Sequence, residues 1–308
     1  MTNGLLRIGH FTDAACPFAF SAEPALLALR WLYGEQIEWH TRLVVLSERA
    51  GENEAKGLTV ELIAGNDAQL AEQHGMPINS AVRPHLLVAL PGDLAIKAVQ
   101  LHRPELAEGF LRAMRVAWMT DHRPVDQRES IFAVAAESGV DVDELAVWVD
   151  DPATEAALRE DMRAARSPLP AALGPLDHKL ADSPIGRRYT CPSLEISLAG
   201  DPDTRFAAPG FENLMAYEVL LANIAPQLER RPRAGDPIEV LEWAAWPLAT
   251  AEVAEVMGVS RAHAESALEE SSARRDERGY WSVSSGNENQ LAAGAASADR
   301  LVCGASLG

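Results

Sequence analysis

The chain has 308 residues, 47% of them hydrophobic, with three cysteines and a formal net charge of −18. That apolar fraction supports a real core and excludes global disorder, and the length allows two domains or one domain with a large insertion. The acidic balance argues against a nucleic-acid or anionic-membrane surface, since phosphate recognition needs clustered Lys and Arg.

No apolar run approaches the ~20 residues of a membrane span. The start, Met1-Thr2-Asn3-Gly4, lacks the charged-then-apolar pattern of a secretory leader. Three widely spaced cysteines do not form a secreted disulfide framework. The expected compartment is the cytoplasm.

Residues 5–11 (LLRIGHF) read as a part-buried strand. From Phe18 to about Tyr33 the apolar residues recur at helical spacing, and Gly34 supplies a stop. Between them lies Asp13-Ala-Ala-Cys16-Pro17-Phe18-Ala19-Phe20. Pro17 suits the first helical position, where its missing N–H costs nothing. Cys16 is then the N-cap, with its sulfur at the free amides and positive dipole end of the helix. Such a place lowers a thiol pKa and favours the nucleophilic thiolate. The plainer role of an isolated cysteine is that of a small buried hydrophobe.

Residues 36–46 (QIEWHTRLVVL) read as a second strand, which completes a βαβ unit. Residues 51–57 are polar and form a loop. From 58 to about 181 helical periodicity dominates: 59–72, 94–102 after a turn at Pro91-Gly92-Asp93, 104–120, 126–139, 143–149 and 152–165. The stripe Phe110/Met114/Trp118 reads as core rather than as a cofactor box. Residues 167–186, rich in Pro and Gly, read as a loop returning to the sheet. The segment 187–198 (RRYTCPSLEISL) opens a strand at a proline, residues 206–209 supply a last strand or its turn, and 211–227 form a closing helix.

Residues 230–237 (RRPRAGDP) look like a basic linker. Beyond it, helices at 237–245, 250–257 and 260–277 and a strand at 279–283 give a winged-helix outline. Residues 236–284 hold ten Asp/Glu against four Arg and no Lys, so a protein-contact or lid module is expected rather than a DNA reader. The Ala-, Gly- and Ser-rich stretch 285–308 is expected to be disordered. The eight histidines show no metal-ligand spacing, and no metal is expected. His10 and His40, on the strands nearest Cys16, are candidates for its base. Asp13 is suited to hold the loop through an Asx turn.

A strand, then Asp-x-x-Cys-Pro-aromatic, then a helix resembles the active-site segment of the DsbA-like branch of the thioredoxin superfamily. The match is closer still to the cytosolic, mostly actinobacterial DsbA-family proteins with a helical insertion and a C-terminal extension. The Arg-Tyr-Thr-x-Pro-Ser-Leu run at 188–194 fits their cis-proline loop. The resemblance implies an α/β thioredoxin-like fold, divided as 1–57 and 185–229, with a helical insertion at 58–184 and a small winged-helix-like domain at 236–284.

It also implies a thiol–disulfide oxidoreductase with Cys16 as nucleophile and Pro192 as the cis-proline shaping the substrate groove. Pro17, Phe18 and Thr190 would contact substrate. Those families place a second cysteine three residues after the first, where this chain has Ala19. A mixed disulfide must therefore be resolved elsewhere: by a low-molecular-weight thiol acting as co-substrate, by Cys191, which precedes the implied cis-proline, or by Cys303. No bound cofactor is expected, and the partner is a protein or small-molecule disulfide or thiol. Two further readings stand beside this one. One is a thiol-cofactor-dependent transferase or isomerase of the kappa or 2-hydroxychromene-2-carboxylate isomerase type; the other is a protein-binding member without redox turnover.

Overall fold

The structure is a computed structural model, and it describes residues 5–183, 185–244 and 246–283. The expected tail at 285–308, with Cys303, lies outside the described residues.

The chain begins with β1 (Leu6–Thr12), α1 (Pro17–Ser21), α2 (Glu23–Tyr33) and β2 (Ile37–Leu43). The single helix expected from Phe18 to Tyr33 is thus two. Pro24 lies in the first turn of the second and lacks the N–H that would continue the ladder through Ala22. The second strand also ends early, at Leu43, where 46 was expected. Val45 takes a left-handed φ of 56°, rare for a β-branched residue, and turns the chain out of the sheet. The turn sends the Leu46 amide to the Asp13 carboxylate, 2.7 Å away.

A one-turn helix, α3 (Glu52–Ala55), lies in the stretch 51–57 expected as a loop, and the insertion then comprises α4 (Val60–His74), α5 (Ala89–His102), α6 (Pro104–Met119), α7 (Arg128–Glu137), α8 (Val142–Val149) and α9 (Pro152–Ala165). Phe110, Met114 and Trp118 sit in its core. The α5 helix starts five residues earlier than the periodicity suggests, with Pro91 and Gly92 inside its first turn. Proline is tolerated there, and glycine is needed because a Cβ at Gly92 would meet the Val125 carbonyl at 2.8 Å.

The return segment, expected as a loop, carries a hairpin of β3 (Leu180–Ser183) and β4 (Gly186–Tyr189). Next come β5 (Ser193–Leu198), β6 (Asp201–Ala208) and α10 (Leu214–Ile224). The last strand begins well before 206, because β6 answers β5 across a tight turn. The main sheet has four strands in the order β2-β1-β5-β6. Its β1/β2 pair is parallel, and the β1/β5 and β5/β6 pairs are antiparallel. This is the thioredoxin-like arrangement, with the helical insertion between β2 and β5.

The C-terminal unit runs α11 (Pro237–Trp243), β7 (Leu248–Ala249), α12 (Thr250–Met257), α13 (Arg261–Glu269), β8 (Ala273–Arg275) and β9 (Tyr280–Val283), with a small sheet ordered β7-β9-β8. Its third helix ends eight residues short of the expected 277, since Ala273–Arg275 pairs with β9. The α12 helix lies against α2, and Val253, Val256 and Trp281 share one core with Leu6, Ile8 and Leu29.

The segment 230–237 is not a free linker. The Arg231 guanidinium stacks 3.6 Å over the Trp31 ring, and the Trp31 indole N–H donates to the Pro232 carbonyl at 2.9 Å. Arg233 donates to the Glu255 carbonyl. A run of arginines suggests solvation, but the planar cation also stacks on indole.

Candidate active site

Cys16 caps α1 with extended backbone (φ −88°, ψ 114°), and Pro17 is the first helical residue. The Cys191–Pro192 peptide is cis. Cys191 lies against Cys16: the Cys16 Sγ donates to the Cys191 carbonyl at 3.4 Å, across 175 positions of sequence. Both thiols are reduced and buried. Phe11, Ala19, Val44, Ala165 and Tyr189 surround them in one apolar cluster.

The two thiols titrate in opposite directions. Cys16 lies below the ordinary thiol range, chiefly because the Cys191 thiol donates to its sulfur. Burial opposes this, the Ala19 and Phe18 amides assist, and the charge of Asp13 opposes. Cys191 is pushed well up by burial, then by its hydrogen bond to Cys16 and that neighbour's charge. One thiolate stabilised by one adjacent thiol is the arrangement that follows. When Cys16 is protonated, its S–H turns to the Cys191 carbonyl instead. Alkylation of Cys16 is therefore expected to reach half its maximal rate at a pH below the ~8.5 of a free cysteine, while Cys191 stays unmodified there. Mass-resolved iodoacetamide labelling against pH measures both; a Cys16 midpoint at or above the free value contradicts the geometry.

Asp13 builds the loop. One carboxylate oxygen accepts from the Ala15 amide at 2.7 Å, an Asx turn, and the other from the Leu46 amide at 2.7 Å. Asp93, on α5, accepts from the Ala14 amide at 3.4 Å. Burial, then the charge of Asp13, pushes its carboxyl well up. Sequence reasoning misses Asp93, because nothing around it sets it apart from a surface acid on a helix.

The remaining expected residues distribute as follows. Pro17 is half-buried, and Phe18 is exposed on the rim beside Cys16. The Thr190 hydroxyl donates to the Lys179 carbonyl at 2.8 Å, so it is engaged within the protein. Ser193 braces the Pro192 loop, donating to the Thr190 carbonyl at 2.6 Å and accepting from the Gly210 amide at 2.9 Å. Neither candidate base reaches Cys16. His10 faces the other side of the sheet, buried beside Arg115, and burial holds its imidazole well below the usual range. His40 pairs with Glu38 at 3.0 Å in the open. Alternation along β1 puts His10 on the face opposite Phe11, whereas His40 shares the face of Phe11 but is held in the open by its pair with Glu38.

Beside Cys16 opens a largely apolar cleft of about 230 Å³, lined by Phe18, Leu58, Ile63, Leu87 and Trp118. Its floor holds a buried ion pair, Arg83 with Asp67, and the Arg83 guanidinium lies 4.7 Å from the Trp118 ring centre. Its size and apolar lining suit a small apolar group placed beside Cys16.

The chain's relatives agree with this architecture. The sequence profile of the Thioredoxin family matches residues 10–167. The ClpXP adapter protein SpxH of Halalkalibacterium halodurans is 27% identical over 165 residues, 51% of this chain and 53% of that protein. The chain thus spans about half the length of this curated relative. A probable DsbA oxidoreductase from Streptomyces coelicolor superposes with a TM-score of 0.52 at 18% identity, covering 75% of this chain and 94% of that one. The cytosolic disulfide reductase DsbM from Pseudomonas aeruginosa gives 0.51 at 13% identity, covering 70% and 97%. At those identities the likeness is one of fold. With a family profile spanning half its length and Cys16 and the cis-Pro192 loop brought together by the sheet, this chain belongs to the thioredoxin family and has the fold of its DsbA-type members.

Proposed function

We propose that the chain is a cytoplasmic thiol–disulfide oxidoreductase in which Cys16 is the nucleophile and Cys191 stands in for the usual second cysteine. The observation that carries this reading is the contact of the Cys16 sulfur with Cys191, 3.4 Å from its carbonyl, with the pKa of the Cys16 thiol lowered and that of the Cys191 thiol pushed well up. The Cys16 thiolate attacks one sulfur of a disulfide RSSR, forms the mixed disulfide Cys16–S–S–R and releases RS⁻. The Cys191 thiol then gives up its proton, and its sulfur attacks the Cys16 sulfur. A Cys16–Cys191 disulfide forms and the second RS⁻ leaves. The sum is one RSSR reduced to two thiols and one protein dithiol oxidised. A low-molecular-weight thiol is the reductant that restores the dithiol.

Ordering matters in this scheme. The lower pKa gives Cys16 the first attack, and Cys191 acts only once the charge of the Cys16 thiolate has been consumed. The thiol-cofactor readings need a second thiol carried by a ligand, whereas here the chain supplies one itself.

The test is non-reducing peptide mapping after mild oxidation. A Cys16–Cys191 linked peptide is the expected product, formed in most molecules at stoichiometric oxidant. A mixed disulfide that accumulates on Cys16 without that link rejects Cys191 as the resolving group.

A second reading, a protein-binding member without turnover, draws on the similarity to an adapter protein over about half of that adapter's length. It requires a Cys16 inert to disulfides.

The C-terminal unit is proposed as a protein-contact module. Three of its four arginines are engaged: Arg275 with Glu265, Arg278 with Asp276, and Arg261 with the Glu72 carbonyl. No duplex binding by the full chain is expected at ~0.15 M salt, because phosphate contacts supply nearly all non-specific affinity. Micromolar, salt-sensitive binding in fluorescence anisotropy would overturn that.

A further inference from the structure

The protein carries 45 acidic and 27 basic residues, so an average cation here has an acid for a neighbour. Around the two cysteines the balance reverses. Lys56, at the end of α3, donates to the Leu46 carbonyl at 2.8 Å. Arg166, at the end of α9, donates to the Val44 carbonyl at 3.0 Å and the Val45 carbonyl at 3.4 Å. Arg188, on β4, donates to the Tyr189 carbonyl at 2.8 Å. Val44, Tyr189 and Ala165, which adjoin these contacts, all belong to the apolar cluster that holds Cys16 and Cys191. Among the described residues none of the three cations forms an ion pair within 4.0 Å.

Carbonyls satisfy their N–H groups but do not cancel their charge. The acids within reach are already committed: Glu48 to Arg159, Glu52 to Arg49 and the Glu48 amide, and Asp13 to two backbone amides. Burial lowers Lys56 and Arg166 first, and the charge of Arg188 adds to it at both, with Arg166 adding a further part at Lys56. Three like charges from three separate elements, none in an ion pair and only partly offset by Glu52, Asp13 and Glu48, stand against their mutual repulsion. An anionic partner relieves it, and the apolar cluster around the cysteines is a low-dielectric wall that strengthens such a field.

We propose that Lys56, Arg166 and Arg188 form a carboxylate-recognition rim, and that the substrates of Cys16 are disulfides carrying carboxylates close to the reacting sulfur. This rests on the oxidoreductase reading and adds a substrate class to it. The carboxylates can belong to a small dicarboxylate disulfide or to acidic residues flanking a cysteine in a peptide. In either source they would reach the rim while the sulfur meets Cys16. The acidic remainder of the surface repels the same substrates, which leaves the rim as their landing site.

The experiment measures single-turnover reduction of paired probes by the full chain. The small pair is 3,3′-dithiodipropionate and cystamine; the peptide pair has cysteine disulfides flanked by Asp or by Lys. Each rate is divided by that of a free reference thiol, which cancels leaving-group differences. The anion-to-cation ratio is then compared between wild type and the variants Lys56→Gln, Arg188→Gln and their double. These two residues each hold a single carbonyl, so the fold survives their loss; circular dichroism checks this.

The wild-type ratio is expected to exceed one, to fall about fivefold with each removed cation, and to shrink as salt is raised. The pair with the larger ratio identifies the source of the carboxylates. If the cations serve only to acidify the cysteines, both probes slow together and the ratio holds, which overturns the rim. Absence of exchange with every probe instead rejects the oxidoreductase reading, and the rim with it.

Discussion

Cys16→Ser is expected to reduce disulfide exchange to the uncatalysed background while leaving the fold in place. Serine is nearly isosteric with cysteine and is a favoured N-cap, and the Cys16 side chain makes no capping hydrogen bond that the change could remove. The introduced hydroxyl would not be a nucleophile near neutral pH, because no base reaches this position: His10 lies across the sheet and His40 is paired with Glu38. The result separates chemistry from packing, since the apolar cluster of Phe11, Ala19 and Tyr189 remains intact around the site. Insulin reduction followed by turbidity, beside a thermal melt, checks both halves. Full activity in this variant removes Cys16 from the mechanism, whereas Cys191→Ala is expected to keep the first attack and stall at the mixed disulfide.

The second large effect lies away from the cysteines. Arg112, on α6, donates to Glu23 of α2 and, at 2.8 Å, to Glu252 of α12, so one guanidinium ties the insertion, the thioredoxin core and the C-terminal unit together. Arg115, one turn on, donates to Glu23 at 2.6 Å and also to Thr12, the residue before Asp13. Arg112→Ala leaves two buried carboxylates facing each other without their shared cation. Removing one partner of a buried ionic group costs about 3–5 kcal/mol, and a loss of roughly 10 °C in melting temperature follows.

The pH dependence fixes the sign. Burial pushes the Glu252 carboxyl up to about 7, partly offset by Arg112. A folded-state pKa above the unfolded one means the folded chain binds the extra proton. Stability from this group is therefore fully present below the unfolded value near 4.3 and lost as pH rises through about 7. Without Arg112 both carboxylates hold their protons more tightly, so the deficit of the variant should narrow as pH falls below neutral. A melt deficit that is small, or that widens in acid, would show that the three units do not meet through this cation.

How far the sequence reaches depends on the range of the force involved. The βαβ start, the capping of α1 by Cys16 and the stripe Phe110/Met114/Trp118 are local matters, set by the period of apolar residues and by Pro17 at the first helical position. They are legible because one turn of chain contains the whole cause. Breaks in that periodicity are harder. Pro24 splits the first helix, and Val45 ends β2 because a distant carboxylate, Asp13, captures the next amide. The segment 230–237 passes for a linker for the same reason, since the Trp31 face that receives Arg231 is two hundred residues away in sequence.

The site divides along the same line. The proposed nucleophile Cys16 and the proline loop can be named from their residue types and neighbours. That Cys191 lies against Cys16, that burial pushes the Asp93 carboxyl up behind the loop, and that Lys56, Arg166 and Arg188 converge outside any ion pair are consequences of burial and charge at short range between segments far apart in the chain. A string of residues states which groups exist and how they are spaced along the backbone. Only the closed sheet, with β5 returning beside β1, decides which of those groups share a low-dielectric space and so alter one another's protons.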